Sequence, residues 1–276
     1  MLKTRVITAL VLLAILLPVL YANNQTAFAI VATVFFAAAV WESFRLFNPN
    51  PGRAALIAAF WTAAFAYSVF VAGQHITIFW FAISVLIWLL RLAPSLKLGL
   101  PELGSASSAM LGVTYAIAIV GCFIAIAALY FHSPLYLLSV MALVWIADIG
   151  AYFAGKAFGK RKLAPSISPG KSWEGALGGA VAVLLLSALA IVFGREALAD
   201  TFVLRLYAAF GSAATAVVLV LIAAASVVGD LFESQLKRRA GVKDSSALLP
   251  GHGGVLDRID ALIPVLPLAA LIDAWL

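Results

Sequence analysis

Asp230-Leu-Phe-Glu-Ser-Gln-Leu-Lys-Arg-Arg-Ala-Gly-Val-Lys-Asp244, continued by Ser245-Ser-Ala-Leu-Leu-Pro-Gly-His-Gly-Gly-Val-Leu-Asp-Arg-Ile-Asp260, is where this chain gathers its charge. The 276 residues are 64% hydrophobic and 11% charged. Yet these 31 hold five of the twelve acidic groups, five of the eighteen Lys and Arg, and one of the three His. On both sides the sequence is apolar. Mean hydropathy is +1.09, which excludes an ordinary soluble domain, where charged residues make up about a quarter of the chain. Charge concentrated between apolar runs points to one active surface that the remainder holds at a membrane.

Working outward, nine apolar stretches fit spanning helices: about 6–22, 27–41, 54–73, 76–91, 107–131, 134–154, 175–193, 206–229 and 260–276. About 20 residues at 1.5 Å each cross the hydrocarbon core. The second, fourth and ninth are short, which leaves a count of eight open. Residues 6–22 follow Lys3 and Arg5 as a secretory leader would. Val19-Leu-Tyr-Ala22 before Asn23 lacks a small-x-small cleavage pattern, so an uncleaved first span is expected. With the N-terminus inside, alternate loops collect sixteen of the eighteen basic residues and leave Arg195 and Arg205 outside. That asymmetry favours nine spans, N-terminus in and C-terminus out, with residues 155–174 and 230–260 both on the cytoplasmic side.

The expectation is therefore an all-α polytopic membrane domain. Spans within 1–133 serve as scaffold or subunit interface, and 134–276 carries the chemistry. A pI of 9.6 reports orientation in such a chain and does not argue for nucleic acid. Asn48-Pro-Asn-Pro-Gly52 reads as a turn, and Pro94 and Pro101 break the 92–105 connection. Cys122, alone in an apolar run, reads as a small core residue; His75 and His132 are loop histidines without ligand roles.

The first polar segment begins before span six ends. Asp148 lies in or at the edge of that span, where a carboxylate is costly unless paired, hydrated or bound to a cation. Pairing with Lys156, or hydrogen bonding within the bundle, is its plain alternative. Ser166-Ile-Ser-Pro-Gly-Lys-Ser-Trp-Glu-Gly175 follows. Ser168, Lys171 and Ser172 offer donors to phosphate oxygens, while Pro169 and Gly170 set a turn before span seven. Glu174 complements a helix start. The spacing around Lys171 is not that of a Walker A loop.

In the second segment Asp230, Ser234 and Lys237 fall on one face of a helix continuing out of span eight, with Glu233 beside it. Carboxylates near a hydroxyl and an ammonium suit a metal-bound phosphate. Lys237, Arg238 and Arg239 would alone read as contacts to anionic headgroups. They are joined by Lys243 and Asp244, by Pro250-Gly-His-Gly-Gly254, and by Asp257 and Asp260 one helical turn apart. Gly253 and Gly254 permit turns whose amides face an anion. Several Asp without a Cys cluster favour Mg²⁺ over structural zinc. No Gly-x-Ser-x-Gly elbow supports acyl transfer. Phosphoryl or nucleotidyl transfer fits best.

Ser234 through Asp260 resembles, without departure, the signature of phosphatidate cytidylyltransferases, also called CDP-diacylglycerol synthases. Ala147-Asp-Ile-Gly-Ala-Tyr152 and Ser168-Pro-Gly-Lys-Ser-Trp-Glu-Gly175 are similar to that family too. The resemblance implies an integral-membrane enzyme converting CTP and phosphatidic acid to CDP-diacylglycerol and pyrophosphate, dependent on Mg²⁺ with room for a second cation, dimeric, and with its site facing the cytoplasm; the compact chain favours a bacterial inner membrane over an organellar one. Asp230 and Asp257 match the family's metal carboxylates. Ser234, Lys237, Arg238, Lys243, Asp244, His252, Arg258 and Asp260 are expected at the reacting phosphates. Asp148, Lys156, Ser168, Lys171, Glu174, Gly253 and Gly254 are expected on the substrate side. An anionic-lipid or phosphorylated-solute transporter and a polyprenol kinase using CTP remain the competing readings.

Overall fold

The computed structural model describes residues 2–22, 24–48, 50–70 and 77–276. Asn23, Pro49 and His75, and the side chains of Lys3, Arg5 and Arg195, lie outside the described residues. In order, the helices are α1 (Leu2–Tyr21), α2 (Gln25–Phe47), α3 (Pro51–Phe70), α4 (Thr77–Ile87), α5 (Ala93–Leu98), α6 (Ala106–His132) and α7 (Pro134–Phe158). A hairpin of β1 (Lys162–Ala164) and β2 (Ser168–Ser172) leads to α8 (Trp173–Phe193), α9 (Phe202–Arg239), α10 (Leu256–Ile259) and α11 (Leu262–Asp273). Seven of the helical segments are long and apolar enough to cross a membrane; Val6–Tyr21 and Leu262–Asp273 are shorter apolar helices. Among the described residues each of the nine apolar stretches read from sequence contains a helix, seven of them of spanning length.

Local chemistry starts several of these helices. Asn24, Ser105, Ser133 and Ser172 cap α2, α6, α7 and α8, each accepting from the amide three residues on. Pro134 occupies the first turn of α7, where its missing N–H is not needed. Pro94 does not break the helix as expected. A π-helical turn at Trp88–Leu92 joins α4 to α5, and Pro94 falls in the first turn after it, where a missing donor is tolerated. A further departure from regular helix is in α9, which bends at Gly211. Its φ of 75° and ψ of −178° are open to glycine and strained for other residues.

The buried apolar side chains form one cluster running between the helices. Phe36, Phe65 and Phe123 stack where α2, α3 and α6 meet, with centroids 4.3 and 5.3 Å from Phe36. Trp88, Tyr115 and Phe232 tie the π-turn, α6 and α9 together, Tyr115 lying 5.0 Å from Phe232. Large apolar side chains face outward, Leu90 at 74% and Met110 at 73% exposure. In water that would be a liability; against lipid chains it is the expected outer surface.

One end of the bundle is pinned by Arg239. Its guanidinium donates to the carbonyls of Pro101 and Leu46 and to Ser108 Oγ at 3.1–3.2 Å, and lies over the Phe47 ring. At the other end Tyr136 donates to Asp273 at 2.6 Å. There His132 and Ser133 both bond Asp200, at 2.8 and 2.6 Å, so His132 is a loop fastener. Thr8 on α1 donates to the Pro250 carbonyl at 2.8 Å, which puts the start of the chain beside the charged loop.

Helices α7 and α8 pack backbone to backbone. A Cβ at Gly179 would sit 2.5 Å from the Ala147 carbonyl oxygen, and one at Gly175 would sit 2.9 Å from that of Ala151. Small residues at such a contact let two membrane helices close together. Gly179→Val is expected to wedge them apart and lower stability by about 1–3 kcal/mol, as overpacking does. Thermal melts of the detergent-purified protein check this; an unchanged melting temperature would show that the contact has room to spare.

Candidate active site

The first polar segment builds one wall of a cavity of about 560 Å³, enclosed by α7, the hairpin, α8 and α9. Asp148, Lys156, Ser168, Lys171 and Asp230 line it. Lys171 Nζ lies 2.6 Å from Asp230 Oδ2, and Ser234 Oγ donates to Asp230 Oδ1 at 3.2 Å. Asp148 is not ion-paired with Lys156; Ser226 Oγ donates to it at 3.4 Å.

The hairpin corrects the expected turn. Pro169 and Gly170 lie inside β2, and the reversal occurs at Pro165–Ile167. Arg238 Nε, read as a phosphate contact, donates to the Ile167 carbonyl at 3.3 Å and ties that reversal to α9. Glu174, expected beside substrate, is used internally: it accepts from the amides of Lys160 and Arg161 at 3.1 Å and from Arg161 Nε at 3.3 Å. It closes the base of the hairpin.

Further along α9, Lys237 reaches two carboxylates. It pairs with Glu233, and its Nζ lies 2.6 Å from Asp257 Oδ1. Glu233 is fully buried and Asp257 nearly so. The other Asp257 oxygen accepts from Ser245 N and Oγ at 2.8 Å and Gly254 N at 2.7 Å. Burial raises this carboxyl; Lys237, the Gly254 amide and Ser245 oppose burial and hold it below its ordinary value.

The loop so gathered lines a second cavity of about 800 Å³, with Lys243, Asp244, His252, Gly253 and Arg258 on its wall. Gly253 has φ of 83°, and a Cβ there would approach Asp257 Oδ2 to 2.7 Å. Gly254 is not on this wall. Its amide is spent on Asp257, and a Cβ would strike Ser245 and Glu42.

Glu42 was not expected at all. It is completely buried on α2, yet it accepts from Ser245 Oγ at 3.2 Å, from Ser246 Oγ, and from the amides of Val255 at 3.1 Å and Leu256 at 2.6 Å. The signal available was its class: a lone carboxylate at the end of an apolar span needs partners.

Asp148 and Asp230 line the same cavity, so their like charges oppose one another there. Asp257 and Asp260, though a turn apart, face different neighbours: Asp260 Oδ1 accepts from its own following amide, Ala261 N, at 2.8 Å. Among the described residues no three His, Cys, Asp or Glu converge as a complete metal cage. Carboxylate oxygens are donors of the kind Mg²⁺ takes; Asp148 and Asp230 line one cavity, while both oxygens of Asp257 are held by Lys237, Ser245 and Gly254 and would have to exchange a partner for the ion.

Apolar spans carrying charge at one end, with carboxylates and ammonium groups between two cavities, define a polytopic membrane protein built to handle an anionic group. A model described as the cytidylyltransferase family matches residues 3–275. Over 282 residues the chain is 40% identical to a phosphatidate cytidylyltransferase of Pseudomonas aeruginosa, covering 98% of this chain and 96% of that protein. It is 50% identical over 137 residues to one from Haemophilus influenzae, an alignment spanning 50% of this chain and 45% of the relative. It is 42% identical over 129 residues to one from Helicobacter pylori, spanning 45% and 43%. The chain belongs to the cytidylyltransferase family and is a membrane nucleotidyltransferase.

Proposed function

We propose that this chain transfers the cytidylyl group of CTP to phosphatidic acid, giving CDP-diacylglycerol and pyrophosphate for phospholipid synthesis. What supports this reading is the row along α9. Asp230 with Lys171 faces the first cavity, and Lys237 with Asp257 stands behind the loop lining the second. A nucleotide and a lipid headgroup are both polyanions, and positioning plus charge neutralisation dominate the barrier to joining them.

The bond that forms joins a phosphatidate phosphate oxygen to the α-phosphorus of CTP. The bond that breaks is the α–β bridge, whose electron pair leaves with pyrophosphate. The attacking oxygen is already anionic near neutral pH, so no strong general base is assigned. Lys171 and Lys156 supply positive charge in the first cavity, and Ser168 adds a hydroxyl donor. Lys243 and Arg258 do the same on the loop side, with Asp244 and His252 orienting them. Asp230 and Asp257 would hold Mg²⁺, and Asp148, which shares the first cavity with Asp230, leaves room for a second cation. Bound there, such an ion would offset phosphate charge.

The site is proposed to face the cytoplasm of a bacterial inner membrane, with the N-terminus on that side, and the enzyme to work as a homodimer. Accessibility of single cysteines in oriented vesicles and the mass of the detergent-extracted particle check these two points.

Incubating purified protein with labelled CTP, Mg²⁺ and phosphatidic acid tests the reaction. Lipid-linked CMP with release of pyrophosphate is expected, and chelation of Mg²⁺ should abolish it. Anion movement without a covalent product would instead mark a transporter, and a phosphorylated polyprenol would mark a kinase.

A further inference from the structure

We propose that Glu42, on the second helix of the chain, is a positioning residue for the transfer, fixing the loop that carries Asp257. The inference rests on the reaction proposed above, and it concerns a helix far in sequence from every residue assigned to that reaction.

A fully buried carboxylate is unfavourable unless its lone pairs are met. Three donors meet those of Glu42 outright, all from residues 245–256: the hydroxyl of Ser246 and the amides of Val255 and Leu256; the Ser245 hydroxyl, whose one proton is shared with the nearer Asp257, is the fourth. No described Lys or Arg pairs with it. Its partners are therefore one loop and the entrance of one short helix. Val255 and Leu256 open α10, and the amides at a helix start have no partner within the helix. Glu42 supplies that partner from another part of the chain.

The connection onward to the reacting groups is short. Ser245 Oγ lies between the two acids, 3.2 Å from Glu42 and 2.8 Å from Asp257, and the Ser245 amide also donates to Asp257. Asp257 in turn holds Lys237. Gly254 is where the loop passes both acids, with no space for a side chain. A shift of Glu42 thus moves Ser245, and with it the oxygen pair of Asp257 and the strand of loop bearing Lys243 and Asp244.

Glu42→Gln keeps the size of the group but turns one oxygen into a donor facing donors. In folded protein we expect turnover to fall about 10²-fold, the scale of an ångström-sized misplacement, with KM for CTP within about threefold, because Glu42 lines neither cavity. Hydrogen exchange should quicken at residues 245–256 and stay unchanged in α7 and α8. Turnover per folded molecule near that of the parent, or exchange that rises equally through all helices, would overturn the proposal. Should Glu42→Gln fail to insert, Ser246→Ala removes one donor without stranding a new one in the bundle. It is expected to lower kcat several-fold and to quicken the same segment, and unchanged kcat with unchanged exchange would be decisive against the role. The exchange measurement needs no substrate. If the parent protein makes no lipid-linked CMP, the proposed reaction fails separately from the loop anchoring.

Discussion

Asp257→Asn is expected to lower CDP-diacylglycerol formation by about 10²–10³-fold, comparable to losing a principal electrostatic contact to a transition state, in protein that still inserts and folds. The side chain at this position faces donors only: Lys237 on one oxygen, and Ser245 and Gly254 on the other. An amide has a single acceptor oxygen and adds two N–H groups. Whichever way Asn turns, its NH₂ opposes either an ammonium or backbone N–H groups. The substitution also removes a negative charge that the proposed cation site depends on. The two contributions separate in a Mg²⁺ titration. A lost metal ligand raises the half-saturating concentration; a disordered loop lowers the plateau at every concentration. Near-normal turnover at ordinary Mg²⁺ would remove Asp257 from the site altogether.

How legible this arrangement was differs by scale. The helices follow from hydropathy because each spanning stretch carries its own signal, about 20 apolar residues long. The face Asp230–Ser234–Lys237 follows from helical spacing, and α9 does continue through Arg239 to present it. What the residues then touch did not follow. Lys237 and Arg238 read as cations turned toward phosphate, yet Lys237 pairs with two acids and Arg238 with a backbone carbonyl. Sequence gives the charge of a side chain but not whether a neighbour has already neutralised it. The hairpin left little trace, since three- and five-residue strands containing Pro169 and Gly170 lack an alternating pattern. Glu42 fell one residue beyond the expected end of its span at residue 41 and drew no reading, whereas α2 runs on to Phe47.

Lys237→Met should destabilise the protein by about 3–5 kcal/mol, the range for removing one partner of a buried ion pair, besides eliminating transfer. Met matches the length of the lysine stem, so packing is nearly kept while the charge is lost. Two carboxylates are then left without their cation. Asp257 retains Ser245 and Gly254, but the buried oxygens of Glu233 have no partner among the described residues other than the Lys237 ammonium. The stability loss should therefore come mainly from Glu233. Adding Glu233→Gln removes that stranded charge, and the double variant should regain most of the lost melting temperature. It should not regain activity, because Asp257 still lacks the ammonium that fixes one of its oxygens. Melting curves of the parent, both single variants and the double variant form a cycle that isolates the pair's coupling. A Lys237→Met protein as stable as the parent would mean that Glu233 bears no stranded charge, being reached by water or protonated, and the buried row along α9 would lose its role in holding the loop.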